Sequence, residues 1–485
     1  MSFFNIRSVF RKPSFAVLTL IGAFALLFIS WGNADRRHAY SAGSVVLNGR
    51  TLNYQADAGY IIARPEQNAA ANIFYTAYTA GYDNVNRPLT FIFNGGPGSA
   101  SIWLHMGAGS PVRAIPGKAG YGTNPDTWLG FTDLVFIDPV GTGFSRPVNG
   151  VDAQRFYGYQ ADIRTIGTFI QAYLHLHHRQ NSRIFLAGES YGAARAVGLA
   201  AYLQDSLQTK VLGLTLISPA LDYKLISFRK GNNEPYPYYL PAYAVAAQYH
   251  HQLAPELAQL SAAKLSAKVS AFAFGTYRQA LNQGGAISQQ VIDTLSYFTG
   301  LSKELLKANN GRITDDGFIS SLLKSNQKEL GTFDSRSTGV SNAGDPSAEA
   351  LRTTFEPAFQ QYLHKELHVN TTSAYLATIP TPVWNYGQHT KNGYFNVTGV
   401  FKNLLSQNPD LKVQVITGLY DLATPTATVN AELAEAGINS NNAQVSVNHY
   451  VAGHMVYTDT QVNHQFKQDS EVFYRNVVDS VTEAE

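Results

Sequence analysis

Two kinds of hydrophobic run alternate along most of this chain. Short, nearly continuous runs rich in Ile, Val, Leu and Phe occur at Leu89–Phe93 (LTFIF), Asp133–Ile137 (DLVFI), Arg183–Leu186 (RIFL), Val211–Ile217 (VLGLTLI), Val413–Ile416 (VQVI) and Gln444–Val447 (QVSV). Runs this short with little polar alternation predict strands covered on both faces of a sheet. Between several of them lie longer segments, such as Ala161–His178 and Ala193–Gln204, that read as helices. The alternation predicts an α/β fold with a mainly parallel central sheet. Val45–Leu47 and Asn72–Thr79 (NIFYTAYT) come earlier and predict antiparallel strands opening that sheet.

The pattern changes from about Asp222 to about Ile379. A Pro- and Tyr-rich stretch (PYPYYLPAY) gives way to helix-like segments around Ala263–Leu281 and Ile287–Leu306, and strand-like sequence resumes only near Val413. Residues 222–379 are therefore predicted to form a mainly helical cap insertion folded over the sheet edge, splitting the core into 35–221 and 380–485. Ser335–Ser347, polar with Gly and Ser, reads as a surface loop. At the N-terminus, Arg7, Arg11 and Lys12 precede the uncharged run Phe15–Trp31. Residues 1–34 are accordingly read as a cleaved export signal or a retained single-pass membrane anchor. Either would carry the bulk of the chain across the membrane, making it periplasmic, secreted or anchored.

Composition narrows the function. With 45% hydrophobic and 14% charged residues, the 485-residue chain can bury a core and is too poor in charge to be disordered. A net charge of +2 gives no basic field for nucleic acid, so no nucleic-acid partner is expected. The absence of cysteine removes disulfides, thiolate metal sites and a cysteine nucleophile; in an exported chain it suggests a bacterial periplasm or surface. His175, His177, His178, His250 and His251 lack the H-E-x-x-H spacing, so no metal site is expected. The oligomeric state stays open.

One constellation carries chemistry. Gly188-Glu189-Ser190-Tyr191-Gly192 follows the strand RIFL and precedes an Ala-rich helix, the strand–turn–helix context in which G-x-S-x-G presents a nucleophilic serine. A serine hydroxyl is a poor nucleophile at its own pKa, so it requires a histidine base and a carboxylate to fix that base's tautomer. Asp421 follows the strand VQVI and His454 follows the last strand, both on the edge where ligands bind in such sheets. Alone, each reads as an ordinary loop residue. Together, in the order Ser, Asp, His, they predict the catalytic triad of an α/β-hydrolase. A second cluster, Asn94-Gly95-Gly96-Pro97-Gly98-Ser99, follows the strand LTFIF and lets backbone approach a substrate closely. The Gly96 and Tyr191 amides are the expected oxyanion donors. The phosphate-loop pattern G-x-x-x-x-G-K-[ST] is absent. Asp138, a carboxylate that could compete for His454, sits in an Asp-Pro turn context.

The strings NGGPGSAS, the segment Asn124–Phe144 ending in DPVGTGF, GESYG, LYDLATP and AGHM together resemble the serine carboxypeptidases, especially their bacterial cysteine-free branch. YLPAYAVAAQYH, FTGLSKELLKANN, FDSRSTG and DPSAEALRTTFEPAF extend the likeness through the insertion. The resemblance implies an α/β-hydrolase core with a helical cap. It also implies release of one residue from the free C-terminal carboxylate end of a peptide by an acyl-enzyme route, without metal or cofactor. Ser190, Asp421 and His454 fall on the family's triad, and Gly96 and Tyr191 on its oxyanion hole. Asn94, the Gly95 amide and Glu189 fall on its site for the substrate's terminal carboxylate. A protonated Glu189 can hold a carboxylate, whereas an ionised one would repel it; a structural hydrogen bond is the other reading of this residue. Many members carry a second Glu after the Gly-rich loop, and Leu104–Ser110 (LHMGAGS) has none. Arg113 is a candidate to supply charge there instead, with a surface role as its alternative. An esterase or acyltransferase using the same triad, and a non-catalytic binding protein on the same fold, are the competing functions.

Overall fold

The computed structural model describes residues 38–81, 87–118, 120–380 and 383–482. The export signal or anchor expected over 1–34 lies outside them. Among the described residues, no helix is long and apolar enough to cross a membrane.

Nine strands form the path of the main sheet: β1 (His38–Leu47), β2 (Arg50–Glu66), β3 (Ala69–Ala80), β4 (Leu89–Phe93), β5 (Asp133–Ile137), β6 (Ile184–Glu189), β7 (Val211–Ile217), β8 (Lys412–Gly418) and β9 (Val445–Tyr450). Their order is β1-β2-β3-β5-β4-β6-β7-β8-β9, with the short strand Arg146–Pro147 beside β3. The first three are antiparallel, as is the β3–β5 pair. All pairings from β5 to β9 are parallel. Every residue of β4, β5, β6 and β7 is buried, so both faces are covered. The last strand differs from its expectation: only Tyr450 of β9 is buried, the other positions being exposed or partly buried, because the strand ends the sheet.

Parallel pairing aligns the strand ends. Phe93 is opposite Gly188, Glu189 opposite Ile217, Ile217 opposite Ile416, and Gly418 opposite Tyr450. The loops that leave β4, β6, β7, β8 and β9 therefore emerge at one carboxyl edge, where α/β sheets hold their ligands.

Helices α1 (Tyr159–Leu176) and α2 (Tyr191–Leu207) share one hydrophobic cluster with the sheet, and residues of Thr398–Gln407 and Thr426–Glu435 join it. Between β7 and β8 run α3 (Pro235–Tyr249), α4 (Ala262–Phe272) and α5 (Gln289–Thr299), whose apolar faces build a separate cluster reached by Leu422. The same stretch continues into a hairpin, Lys328–Leu330 with Thr338–Val340, and α6 (Pro346–Lys365). Phe355, Phe359 and Tyr362 of α6 pack with Ile92 and Phe136 on the second face of the sheet, unlike α3 to α5. The surface loop expected from Ser335 is corrected at both ends. Ser335 is buried and donates its N–H to the Tyr420 carbonyl, and Ser347 is buried in the first turn of α6.

Candidate active site

The turn from β6 into α2 is fixed by backbone packing. Ser190 has φ +59 and ψ −126, a conformation costly for a non-glycine residue and kept only where the surroundings determine it. Those surroundings leave no room for neighbouring side chains. A Cβ on Gly188 would lie 2.1 Å from the Gly192 carbonyl oxygen, and one on Gly95 would lie 2.6 Å from the Glu189 carbonyl and 2.7 Å from the Tyr191 amide nitrogen. The loop after β4 thus lies directly on the serine turn.

Ser190 stands at the N-terminus of the seventeen-residue α2. The Gly95, Gly96 and Tyr191 N–H groups donate to no protein acceptor among the described residues. Free amides at a helix start attract developing negative charge.

Arg195, unremarked in the sequence, is fully buried beneath this loop. Its Nε bonds Asp162 Oδ2 at 2.7 Å and its Nη1 bonds the Asn94 carbonyl at 2.6 Å, while its guanidinium lies 5.2 Å from the Phe93 ring and 5.1 Å from the Tyr191 ring. Burial pushes the Asp162 carboxyl up, and the Arg195 charge opposes that. Asn94 is held at both ends of its amide: Nδ2 donates to Glu189 Oε1 at 2.8 Å, and Oδ1 accepts the Leu104 N–H at 3.1 Å.

The opposite half is assembled from several loops. His454 Nδ1 and Asp421 Oδ2 are 2.7 Å apart, both fully buried. Asp421 Oδ1 accepts the Ala423 and Thr424 amides at 2.7 and 2.9 Å, and Thr424 Oγ1 lies 2.8 Å from Oδ2. The carboxylate is thereby hydrogen-bonded at both oxygens. Burial by itself lowers the His454 pKa, but the charge and hydrogen bond of Asp421, with a further contribution from Glu189, raise it on balance above the ordinary histidine value.

Ser218, at the end of β7, ties the two halves together. Its preceding residue, Ile217, accepts the Ser190 N–H at 2.9 Å. Its own hydroxyl donates to the His454 carbonyl at 2.7 Å, and its carbonyl accepts Thr424 Oγ1 at 3.0 Å. From the segment after Leu330, the Phe333 carbonyl accepts the His454 N–H at 2.6 Å and its ring centroid lies 5.4 Å from the imidazole. Ser190 Oγ makes no hydrogen bond to the protein among the described residues, and the imidazole Nδ1 is engaged by Asp421 and Thr424.

Asp138 takes no part. It accepts the Ser101 amide and hydroxyl at 2.9 and 2.8 Å and the Tyr375 hydroxyl at 3.1 Å, and burial pushes its carboxyl up to about 6. Arg113 is bound to Thr460 Oγ1 at 3.3 Å and lies 3.7 Å from Asp126 Oδ2. It borders a cavity of about 300 Å³ whose walls include Met106, Gly107, Leu351, Phe355, Met455 and Tyr457. Ser218, Phe333, Thr424, Arg195 and Tyr457 gave no signal in the sequence beyond the places of Thr424 in LYDLATP and Phe333 in FDSRSTG.

A buried Asp–His pair beside a strained serine and undonated amides is equipped for acyl transfer. The sequence profile described as serine carboxypeptidase matches residues 47–480. Serine carboxypeptidase-like 35 of Arabidopsis thaliana is 30% identical over 160 residues, covering 32% of this chain and 32% of that protein. Pheromone-processing carboxypeptidase KEX1 of Yarrowia lipolytica is 29% identical over 182 residues, covering 35% of this chain and 28% of its own length. These alignments span about a third of the relatives they match. The fold is similar to the crystal structure of a prohormone-processing carboxypeptidase, KEX1(Δ)P of Saccharomyces cerevisiae, with a TM-score of 0.55 at 16% identity, covering 87% of this chain and 91% of that one. From residue 47 to residue 480, then, the chain belongs to the serine carboxypeptidase family.

Proposed function

We propose that this protein is a serine-type carboxypeptidase that releases the C-terminal residue of peptides bearing a free carboxylate. The observation that carries the reading is the buried 2.7 Å His454–Asp421 bond at the sheet edge that also presents Ser190. With Nδ1 on Asp421, the imidazole keeps Nε2 to take the Ser190 proton. Catalytic hydrogen bonds that are long in a free enzyme commonly tighten once substrate binds, and this link is expected to do so.

Ser190 Oγ attacks the last peptide carbonyl as His454 accepts its proton, and the oxyanion is held by the Gly96 and Tyr191 amides. Collapse breaks the C–N bond, with His454 returning the proton to the leaving amine. Water then attacks the acyl-enzyme with His454 as base, freeing the shortened peptide. Asn94, the Gly95 amide and a protonated Glu189 receive the terminal carboxylate. Burial pushes the Glu189 carboxyl up, against the opposing influences of His454, Tyr457 and Asn94, so the neutral acid is favoured relative to an exposed glutamate. Export by the N-terminal segment would put this chemistry outside the cytoplasm.

The test pairs a peptide acid with its C-terminal amide, in wild type and Ser190→Ala. Turnover of the acid is expected to fall about 10³-fold or more in the variant, with fluorophosphonate labelling lost and the fold retained. The amide is expected to be a poor substrate for wild type. Equal cleavage of both would favour an esterase or acyltransferase, and an undiminished rate in the variant would remove the mechanism.

A further inference from the structure

Tyr457 stands over Gly107 and next to Glu189. A Cβ on Gly107 would lie 2.4 and 2.6 Å from two carbons of the Tyr457 ring and 3.1 Å from Phe355 Cε1. Any side chain at 107 therefore excludes the ring from its present position. The ring is buried, and its hydroxyl faces Glu189 and Asn94 closely enough for both to act on its ionisation. Glu189 Oε1 is engaged by Asn94, but Glu189 Oε2 and Tyr457 Oη are buried with no completed hydrogen bond. Two such atoms on neighbouring side chains are unusual, because buried polar groups are nearly always paired. The terminal torsion of a glutamate is soft, so rotation of the carboxyl is the motion that can close an O–H···O bond between them.

We propose that Tyr457 is the positioning residue for Glu189: its hydroxyl is the neutral partner of Oε2, and its ring is seated over Gly107. The inference rests on the carboxypeptidase reading. A phenol donates to an ionised carboxyl and accepts from a protonated one, so it can hold Glu189 in either state. The two arrangements tune Glu189 in opposite directions. A second carboxyl would oppose ionisation by like charge, whereas a donor hydroxyl favours it. The other groups facing Glu189 are His454, which favours the ionised form, Asp421, which opposes it, and the neutral Asn94 amide. Beside the phenol, Glu189 loses its proton at a lower pH than it would beside phenylalanine.

Tyr457→Phe removes one oxygen and keeps the ring over Gly107. Profiles of kcat/KM against pH are measured for a peptide acid and for an ester substrate with no free carboxylate. With the acid, the alkaline limb is expected to move up by about one pH unit, and KM on the acid side to rise about threefold as Glu189 loses its orientation. The ester profile is expected to keep its shape, and fluorophosphonate labelling of Ser190 to proceed. An unmoved limb overturns the proposal. So does an equal shift with the ester, which would place the effect on His454, or a loss of labelling, which would make Tyr457 merely structural. Wild type that handles acid and amide alike sinks the carboxypeptidase reading and this inference with it. Wild type that discriminates, with an unmoved limb in the variant, sinks only the role of Tyr457.

Discussion

Ser190, Gly95 and Gly96 owe their places to backbone alone, whereas Asp421 and His454 owe theirs to backbone and to side-chain hydrogen bonds together. On the nucleophile side, two contiguous strings leave adjacent strands and press together so closely that a single Cβ would collide with main-chain atoms. On the base side the backbone is as close, a Cβ on Gly418 lying 2.1 Å from the Gly453 carbonyl oxygen and one on Gly453 2.3 Å from the Phe333 carbonyl oxygen, and side-chain hydrogen bonds made by Ser218 and Thr424 are added to it. Both halves are constrained by their chain path, and the second depends in addition on the hydrogen bonds that orient its two side chains. Substitutions should therefore fail differently in the two halves: in the first through the fold, in the second through the rate.

The largest effect is expected on the base side. Asp421→Asn retains an oxygen for the Ala423 and Thr424 amides but no longer fixes the tautomer of His454. Turnover of a peptide acid is expected to fall about 10³- to 10⁴-fold while the melting temperature changes little. Steady-state rates and thermal unfolding of the same preparation check both parts. A fall of less than tenfold would mean that another group orients the imidazole.

On the nucleophile side, the corresponding support is the fully buried Arg195. Arg195→Met leaves Asp162 buried without its cation, with only the Tyr191 hydroxyl at 3.1 Å, and frees the Asn94 carbonyl. Removing one member of a buried ion pair typically costs about 3–5 kcal/mol, and a loss of that size is expected in urea unfolding. A loss near zero would show that the loop after β4 holds without its cation, and the contrast between the halves would fail.

The same contrast explains what could be read from the chain. LTFIF, DLVFI and VLGLTLI became β4, β5 and β7 with the expected bounds, because a strand buried on both faces needs an unbroken apolar run. The long β2 passed unnoticed, since its apolar positions are diluted by Asn53, Gln55, Asp57 and Arg64. Within the site, the strings around Ser190 and Gly95 are legible because glycine spacing is itself the geometry. Asp421 and His454 could be picked out by their positions after strands. Ser218 and Arg195 could not, since a serine in a loop or an arginine in a helix has no local feature that announces a distant carbonyl. Ser335 was misread for the same reason. Its polar neighbourhood suggests solvent, while its burial comes from the Tyr420 carbonyl far along the chain.

Glu189 belongs to both halves, and the smallest expected effect falls on it. It extends the serine turn, yet it acts on His454 as well. As pH rises, His454 loses its proton above the ordinary histidine range and becomes competent as a base, so rates for any substrate increase. Glu189, pushed up by burial, also loses its proton with rising pH, and a charged Glu189 repels a terminal carboxylate. A peptide acid should therefore show a bell-shaped kcat/KM, whereas an ester without a carboxylate should show only the rising limb. Because the two groups interact, the limbs report macroscopic values of the pair. Glu189→Gln removes the ionisation and keeps a neutral side chain beside Asn94. The alkaline limb for the acid is expected to disappear, with a change of only a few-fold at the optimum. The rising limb should move to lower pH, since the Glu189 charge no longer raises the His454 pKa. If the variant retains the alkaline limb, its origin is another group, and Glu189 is then a structural extension of the nucleophile turn rather than part of carboxylate recognition.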